Sequence, residues 1–452
     1  MQSKLSNPPG PGSWKLLSSL RNLRDQPHEY LLSAFQEYGD VVHFDIPGRQ
    51  AFFINHPDTV QHVLQMNHRN YDKNTFQYNV LSRITGKGLL TNEGGEDWLQ
   101  KRRIAQPAFS KNSLEGLVPI VVDAVESMLM GWEEANQRGG LIDVDREMMQ
   151  CTLDVVAKML FGADLSNQTY RLTGAVMDAL NYLIFQTRTL MMIPGWFPIR
   201  ENRVFREAMT TIEQAVNELI DRRSNSTPGH DLLGRLLAAQ DESGQPVLSR
   251  QEVRDEVVTM LIAGHETVAS SLTWAWYLLA RHPEVRVSLQ EEVVNMLGNR
   301  EPVYADVSNL VYTQQAYHEA LRLFPPAWLI TRRAKDADVV GGYPITAGGL
   351  VIISPFTMHR RPDIWPEPDQ FIPDRFSEDS HRERHRFGFI PFGGGPRLCI
   401  GNRFAEVEAT LILAMVARRF SLKLPPDTRV AVEALVTMRP ANGMPMKIEA
   451  IS

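Results

Sequence analysis

A continuous helical pattern from Ser249 to His282 constrains this chain more than any other feature of its sequence. Ser249 reads as the cap, and Glu252 three residues on completes a capping box. Pro283 interrupts the pattern at the far end. About 32 residues rising 1.5 Å each predict a rod of roughly 48 Å. A helix of that length implies an element crossing the whole molecule.

The remaining pattern is mostly helical. Gln26 to Tyr38 reads as an amphipathic helix ending at Gly39. Leu114 to Ala135, Asp143 to Phe161 and Asn202 to Arg223 repeat apolar residues at three and four. The main break among them is Met192 to Pro198. Val41 to Ile54, with Pro47-Gly48 inside, reads as a hairpin, and Asp58 to Met66 as a further helix. After Arg333 come short strands from Val339 to Ile353. A meander marked by Pro362, Pro366, Pro368 and Pro373 follows. A helix from Asn402 to Phe420 and a last small sheet from Val430 to Ile448 close the chain. No repeat or long linker divides it. The expected fold class is mainly α with small β-sheets, as a single domain over residues 1–452.

Several function classes are excluded. A formal net charge of -6 gives no overall preference for nucleic acid. The 2 cysteines, Cys151 and Cys399, cannot make a disulfide scaffold, and point to a reducing compartment. No window reaches the roughly 18 to 20 apolar residues of a membrane span, and no signal peptide opens the chain. A cytoplasmic location is the expectation.

The chemistry concentrates in Phe392-Gly393-Gly394-Gly395-Pro396-Arg397-Leu398-Cys399-Ile400-Gly401. Contiguous glycines allow a tight backbone path. A helix follows at once, so Cys399 lies near free N–H groups and a dipole that favour a thiolate. The same residues also fit a plain glycine turn with Cys399 as a small buried hydrophobe. A phosphate loop fits poorly, because Lys followed by Ser or Thr is missing and the glycines are not spaced.

This stretch resembles the haem-binding signature of the cytochrome P450 family, through Phe392, Gly393, Gly394, Arg397, Cys399 and Gly401. Other landmarks fall in the family's order. They are Trp98 with Arg102, Ala263-Gly264-His265-Glu266-Thr267, Glu319-Ala320-Leu321-Arg322, and Pro373-Asp374-Arg375-Phe376, where Asp374 replaces a commoner Glu. The likeness runs over nearly the whole chain and implies the P450 fold, with haem b (iron protoporphyrin IX) as cofactor and Cys399 as its metal ligand.

Under that resemblance each constellation has a role. Ala263, Gly264, Glu266 and Thr267 form the catalytic segment: Gly264 leaves a gap for a flat cofactor, Thr267 helps hold and protonate the bound oxygen, and Glu266 feeds protons. Taken alone, the segment also fits a glycine tolerated at a helix crossing, with Thr267 bonded to the carbonyl of residue 263. His265, on another azimuth, has none. Trp98, Arg102, Arg397 and either Arg332 or Arg333 would meet the haem propionates, with His359 a further contact. Phe392 and Gly393 would shape the cofactor loop. Glu319, Arg322 and Arg375 would form a structural triad, the alternative being a surface pair of little worth. Lys101 stands where the family often has His, which weakens one propionate contact.

The implied reaction is oxygen insertion from O2 into an apolar, fatty-acid-like or terpene-like substrate. The loose likeness is to fatty-acid-hydroxylating bacterial members. Pocket walls are sought in Phe76 to Leu90, Met191 to Phe197, Met260 to Ala263 and Pro326 to Ile330. No flavin or iron–sulfur module is visible, so electrons should come from a separate ferredoxin or flavodoxin-type donor with its reductase. Lys101 to Arg103, His381 to Arg386 and Arg403 are basic runs suited to steering it. The rival readings are a peroxide-using peroxygenase, an isomerase, or a haem carrier without catalysis.

Overall fold

The computed structural model describes residues 6–46, 49–163, 169–188, 193–225, 229–378, 384–426, 428–434 and 436–451. Its contacts group into two compact units. The first comprises Met1–Asn79, His318–Cys399 and Glu433–Met438; the second comprises Val80–Tyr317, Ile400–Val432 and Arg439–Ser452. Helices dominate and the sheets are small, as the sequence pattern predicts.

In the first unit, five strands form a mixed sheet. Its order is Val41–Ile46, Arg49–Ile54, Leu350–Ile353, Ile330–Ala334, Tyr71–Asp72. The expected hairpin is present, pairing Val41 with Ile54; its Pro47-Gly48 turn lies outside the described residues. The contact of Arg49–Ile54 with Leu350–Ile353 is parallel and joins segments some 300 positions apart. Apolar side chains below the sheet, among them Phe52, Ile54, Val63, Val351, Phe387 and Ile390, make the core. Pro27–Tyr38 ends at Gly39, where φ is 91°. The helix expected over Asp58–Met66 is α only for Pro57–Gln61 and continues as a π turn, His62–Met66.

In the second unit the long helix runs Arg250–Arg281, 32 residues, with the Ser249–Glu252 capping box in place. It packs against Val144–Phe161, and helices Lys111–Gln137 and Asn402–Arg419 complete the core. Carboxylates at its start grip the preceding chain. Asp255 accepts from Lys87 N–H at 2.8 Å and Glu256 from Leu89 N–H at 3.1 Å. Arg254 donates to Ile84 O at 3.0 Å and pairs with Glu213. Of the last strands, Val432–Ala434 pairs with Met438–Pro440 in the expected small sheet. Pro445–Ala450 is the centre of a three-stranded sheet with Leu141–Asp143 and Phe420–Lys423. Among the described residues, no helix is long and apolar enough to cross a membrane.

Candidate active site

Cys399 ends a loop whose backbone is closed on itself. Its N–H donates to Phe392 O at 3.0 Å, and Leu398 N–H to Gly395 O at 3.0 Å. Gly395, at φ +66°, could not be another residue: a Cβ there would lie 1.9 Å from Leu64 O. Gly393 also takes a positive φ, +74°. The result is an exposed Cys399 thiol two residues ahead of Gly401, which caps helix Asn402–Arg419. Cys151, by contrast, is buried, and burial pushes its thiol up.

On strand Ile330–Ala334 the two arginines are held differently. Neighbouring side chains alternate across a strand, and Arg333 is spent on Asp72, at 3.1 and 2.6 Å. Arg332 turns the other way and is buried. It donates to Thr331 O at 2.8 Å and has no carboxylate partner among the described residues. His359 is fully buried. Its Nδ1 donates to Arg322 O at 3.2 Å and its Nε2 accepts from Ile390 N–H at 2.9 Å. Both ring nitrogens are therefore occupied by backbone, which corrects the expectation of a propionate contact. The ring pins the approach to the cysteine loop instead, and burial holds it well below the usual histidine range.

Glu319 and Arg322 form a fully buried bidentate pair at 2.6 and 2.8 Å, and Arg375 Nε joins Glu319 at 3.2 Å. Arg322 also donates to the carbonyls of His359, Pro368 and Gln370. The surface-pair alternative is excluded. The sequence reading does not single out Trp365, yet its ring lies between Arg384, at 3.8 Å, and Arg322, at 5.2 Å. A lone tryptophan in a proline-rich meander was the available signal.

In the second unit, every residue of the long helix from Val253 to Trp276 is buried except Ala263, Gly264 and Thr267. These three share one face. Thr267 Oγ1 donates to Ala263 O at 2.8 Å. The glycine's opening is taken by a neighbour, since a Cβ at Gly264 would meet Val156 Cγ2 at 3.0 Å. Gly264 thus packs closely against Val156 at a helix crossing, the alternative that the sequence left open. Glu266 is buried beside the open face. His265 donates from Nδ1 to Leu261 O, and burial lowers it to about 4. On helix Gly95–Ala105, Arg102 lies over the ring of buried Trp98 at 5.5 Å.

The expected basic runs are thinner than their sequence. Lys101 is buried between Asp97 and Glu252, at 3.2 and 3.3 Å, and donates to Lys87 O. Arg384 is stacked on Trp365. His381 and Arg382 lie outside the described residues. Arg103, Arg386 and Arg403 remain exposed. Among the pocket candidates, Met260, Trp328 and Ile330 are buried, whereas Trp196 and Phe197 face solvent. Met191 lies outside the described residues.

A family model, "Cytochrome P450", matches residues 8–443. The chain belongs to the cytochrome P450 family. Cyclooctatin synthase of Streptomyces melanosporofaciens is 36% identical, over 93% of this chain and 91% of its own. Putative cytochrome P450 132 of Mycobacterium tuberculosis is 34% identical over 90% and 89%. Pentalenene oxygenase of Streptomyces avermitilis is 31% identical over 93% and 92%. P450 membership implies a haem enzyme acting on organic compounds.

The residues of this P450 fit such a group. Among the described residues, no cluster of three or more His, Cys, Asp or Glu side chains is placed to hold a metal ion. The exposed thiol of Cys399 suits an iron whose other ligands come from a macrocycle. A buried guanidinium without a carboxylate, Arg332, suits an incoming propionate.

Proposed function

We propose that this P450 is a haem-thiolate monooxygenase in which the Cys399 thiolate would hold the iron of haem b. The observation that carries the reading is the exposed thiol of Cys399, held by a self-closed glycine loop just ahead of a helix start. The N–H groups at that start favour an anionic sulfur. Arg332 and Arg397, with Trp98 and Arg102, are the residues to hold the propionates; Phe392 and Gly393 shape the loop. Bound haem supplies the activation of O2 for insertion of one oxygen atom into an organic substrate.

The chain's own residues then have separate tasks. Thr267, on the open face of the long helix, would offer its hydroxyl, which donates to Ala263 O, as a hydrogen-bonding group for O2 activated at the haem. Glu266 holds a proton next to it. Glu319, Arg322 and Arg375 keep the cysteine loop's support rigid. The substrate is apolar, fatty-acid-like or terpene-like. Electrons arrive from a ferredoxin or flavodoxin-type donor in the cytoplasm. The relatives include proteins named Pentalenene oxygenase and Cyclooctat-9-en-7-ol 5-monooxygenase, which supports oxygenation as the reaction.

The test is spectroscopic. Reduced, carbon-monoxide-treated protein should show the far-red-shifted Soret band of a thiolate complex, and Cys399→Ala should lose it while staying folded. A haem-loaded wild type without that band, or a variant that retains it, overturns the reading.

A further inference from the structure

Three helices of the second unit, Val144–Phe161, Thr169–Arg188 and Arg200–Ser224, line an open cavity of about 500 Å³. None of its residues belongs to the candidate haem set. The volume falls in the range of roughly 300 to 1,000 Å³ common for small-molecule sites. Its floor is apolar, with Met149, Ala175 and Ala208 buried and Met177 and Val204 half-buried.

Two polar groups of this lining are short of partners, Thr173 buried and Asp145 half-buried. Thr173 is 8% exposed, and its Oγ1 has no hydrogen-bond partner among the described residues. Asp145 receives one long hydrogen bond, from Thr273 Oγ1 at 3.3 Å, and pairs with no cation among the described residues. Burial pushes the Asp145 carboxyl up to about 6; Asp143 adds to the rise and Arg439 opposes it. The Arg439 guanidinium donates to Asn181 Oδ1 at 2.9 Å and to Met177 Sδ at 3.1 Å.

The rim does not choose a charge. Arg146 and Arg171 are balanced there by Asp178 and Glu207, all four exposed and open to salt screening. The deeper carboxylate therefore sets the preference. An anion would meet the Asp145 carboxylate, which Arg439 offsets without forming an ion pair with it. A neutral molecule would satisfy Thr173 and leave the carboxylate short of donors.

We propose that this cavity is a second small-molecule site, taking an organic cation with an apolar body that donates to Asp145 and Thr173. The apolar part rests on Met149, Met177 and Val204, where thioethers adapt to flat or irregular groups. A planar amidinium matches a carboxylate with two parallel N–H donors.

The probe is benzamidinium, titrated calorimetrically into the haem-loaded enzyme near neutral pH. Its protonated nitrogens offer no lone pair to iron, so the Soret band should not move. One site per chain is expected, with benzoate and benzyl alcohol much weaker. Asp145→Asn, near-isosteric, should weaken binding at least about tenfold. Thr173→Val should weaken it several-fold. Thermal midpoint and carbon monoxide spectrum certify that both variants are folded and haem-loaded. Absence of benzamidinium binding to the wild type, equal binding of benzoate, or affinity unchanged in Asp145→Asn would overturn the proposal.

Discussion

Glu256 is a carboxyl buried on the long helix, with Oε2 accepting from Leu89 N–H and Oε1 without a partner among the described residues. Burial pushes it up to about 7; Asp255 and Asp97 add to the rise, while Leu89 N–H and Lys101 pull it back. Its ordinary value is 4.5. Between the two values the folded chain binds more protons than the unfolded one, so this group's contribution to stability falls as pH rises through that window. Gln keeps an oxygen for Leu89 N–H and cannot ionise. Glu256→Gln should therefore match wild type near pH 4.5 and exceed it by about 1–3 kcal/mol at about pH 8. Urea unfolding at both pH values checks this; a difference independent of pH defeats it. Residues were legible in unequal measure. Cys399, Glu319 and Arg322 stand in recognisable motifs. Arg332 and Arg333 could not be told apart until strand alternation and Asp72 separated them. Glu256 gave no signal, because a carboxyl on a helix ordinarily faces water.

At the scale of elements, the long helix was readable to within a residue at each end, since Ser249, Glu252 and Pro283 act locally. What it packs against was not. Gly264 reads in sequence as an opening for a cofactor or as a glycine at a helix crossing, and nothing local names Val156 as the neighbour it meets. Alanine at Gly264 would gain about 1 kcal/mol of helix propensity, set against a Cβ 3.0 Å from Val156 Cγ2. Valine adds two methyls in the same place. Gly264→Val should cost about 1–3 kcal/mol, and Val156→Ala in the same chain should restore part of it. A double-mutant cycle measures the coupling, expected at about 0.5–3 kcal/mol. Simple additivity would mean that the two helices separate without cost.

At the scale of the molecule, the contacts hardest to foresee join distant parts of the chain. Strand Arg49–Ile54 meets Leu350–Ile353, and Pro445–Ala450 meets Leu141–Asp143. Such pairings carry no local signature, because each short strand is specified only by its partner. Arg322 shows the same logic with side-chain atoms. Its guanidinium reaches both oxygens of Glu319 and three carbonyls from His359 to Gln370, while the His359 ring clasps Ile390 N–H. One planar fork thus organises the meander that leads to the cysteine loop. A lysine keeps the charge and loses the fork, leaving Glu319 and the carbonyls buried with too few donors. Removing one partner of a buried ion pair costs about 3–5 kcal/mol. Arg322→Lys should therefore lower the unfolding midpoint sharply and reduce haem incorporation together, measured by thermal melting and by the ratio of Soret to protein absorbance. Wild-type haem content and an unchanged midpoint in Arg322→Lys would show that charge alone suffices and that the fork is dispensable.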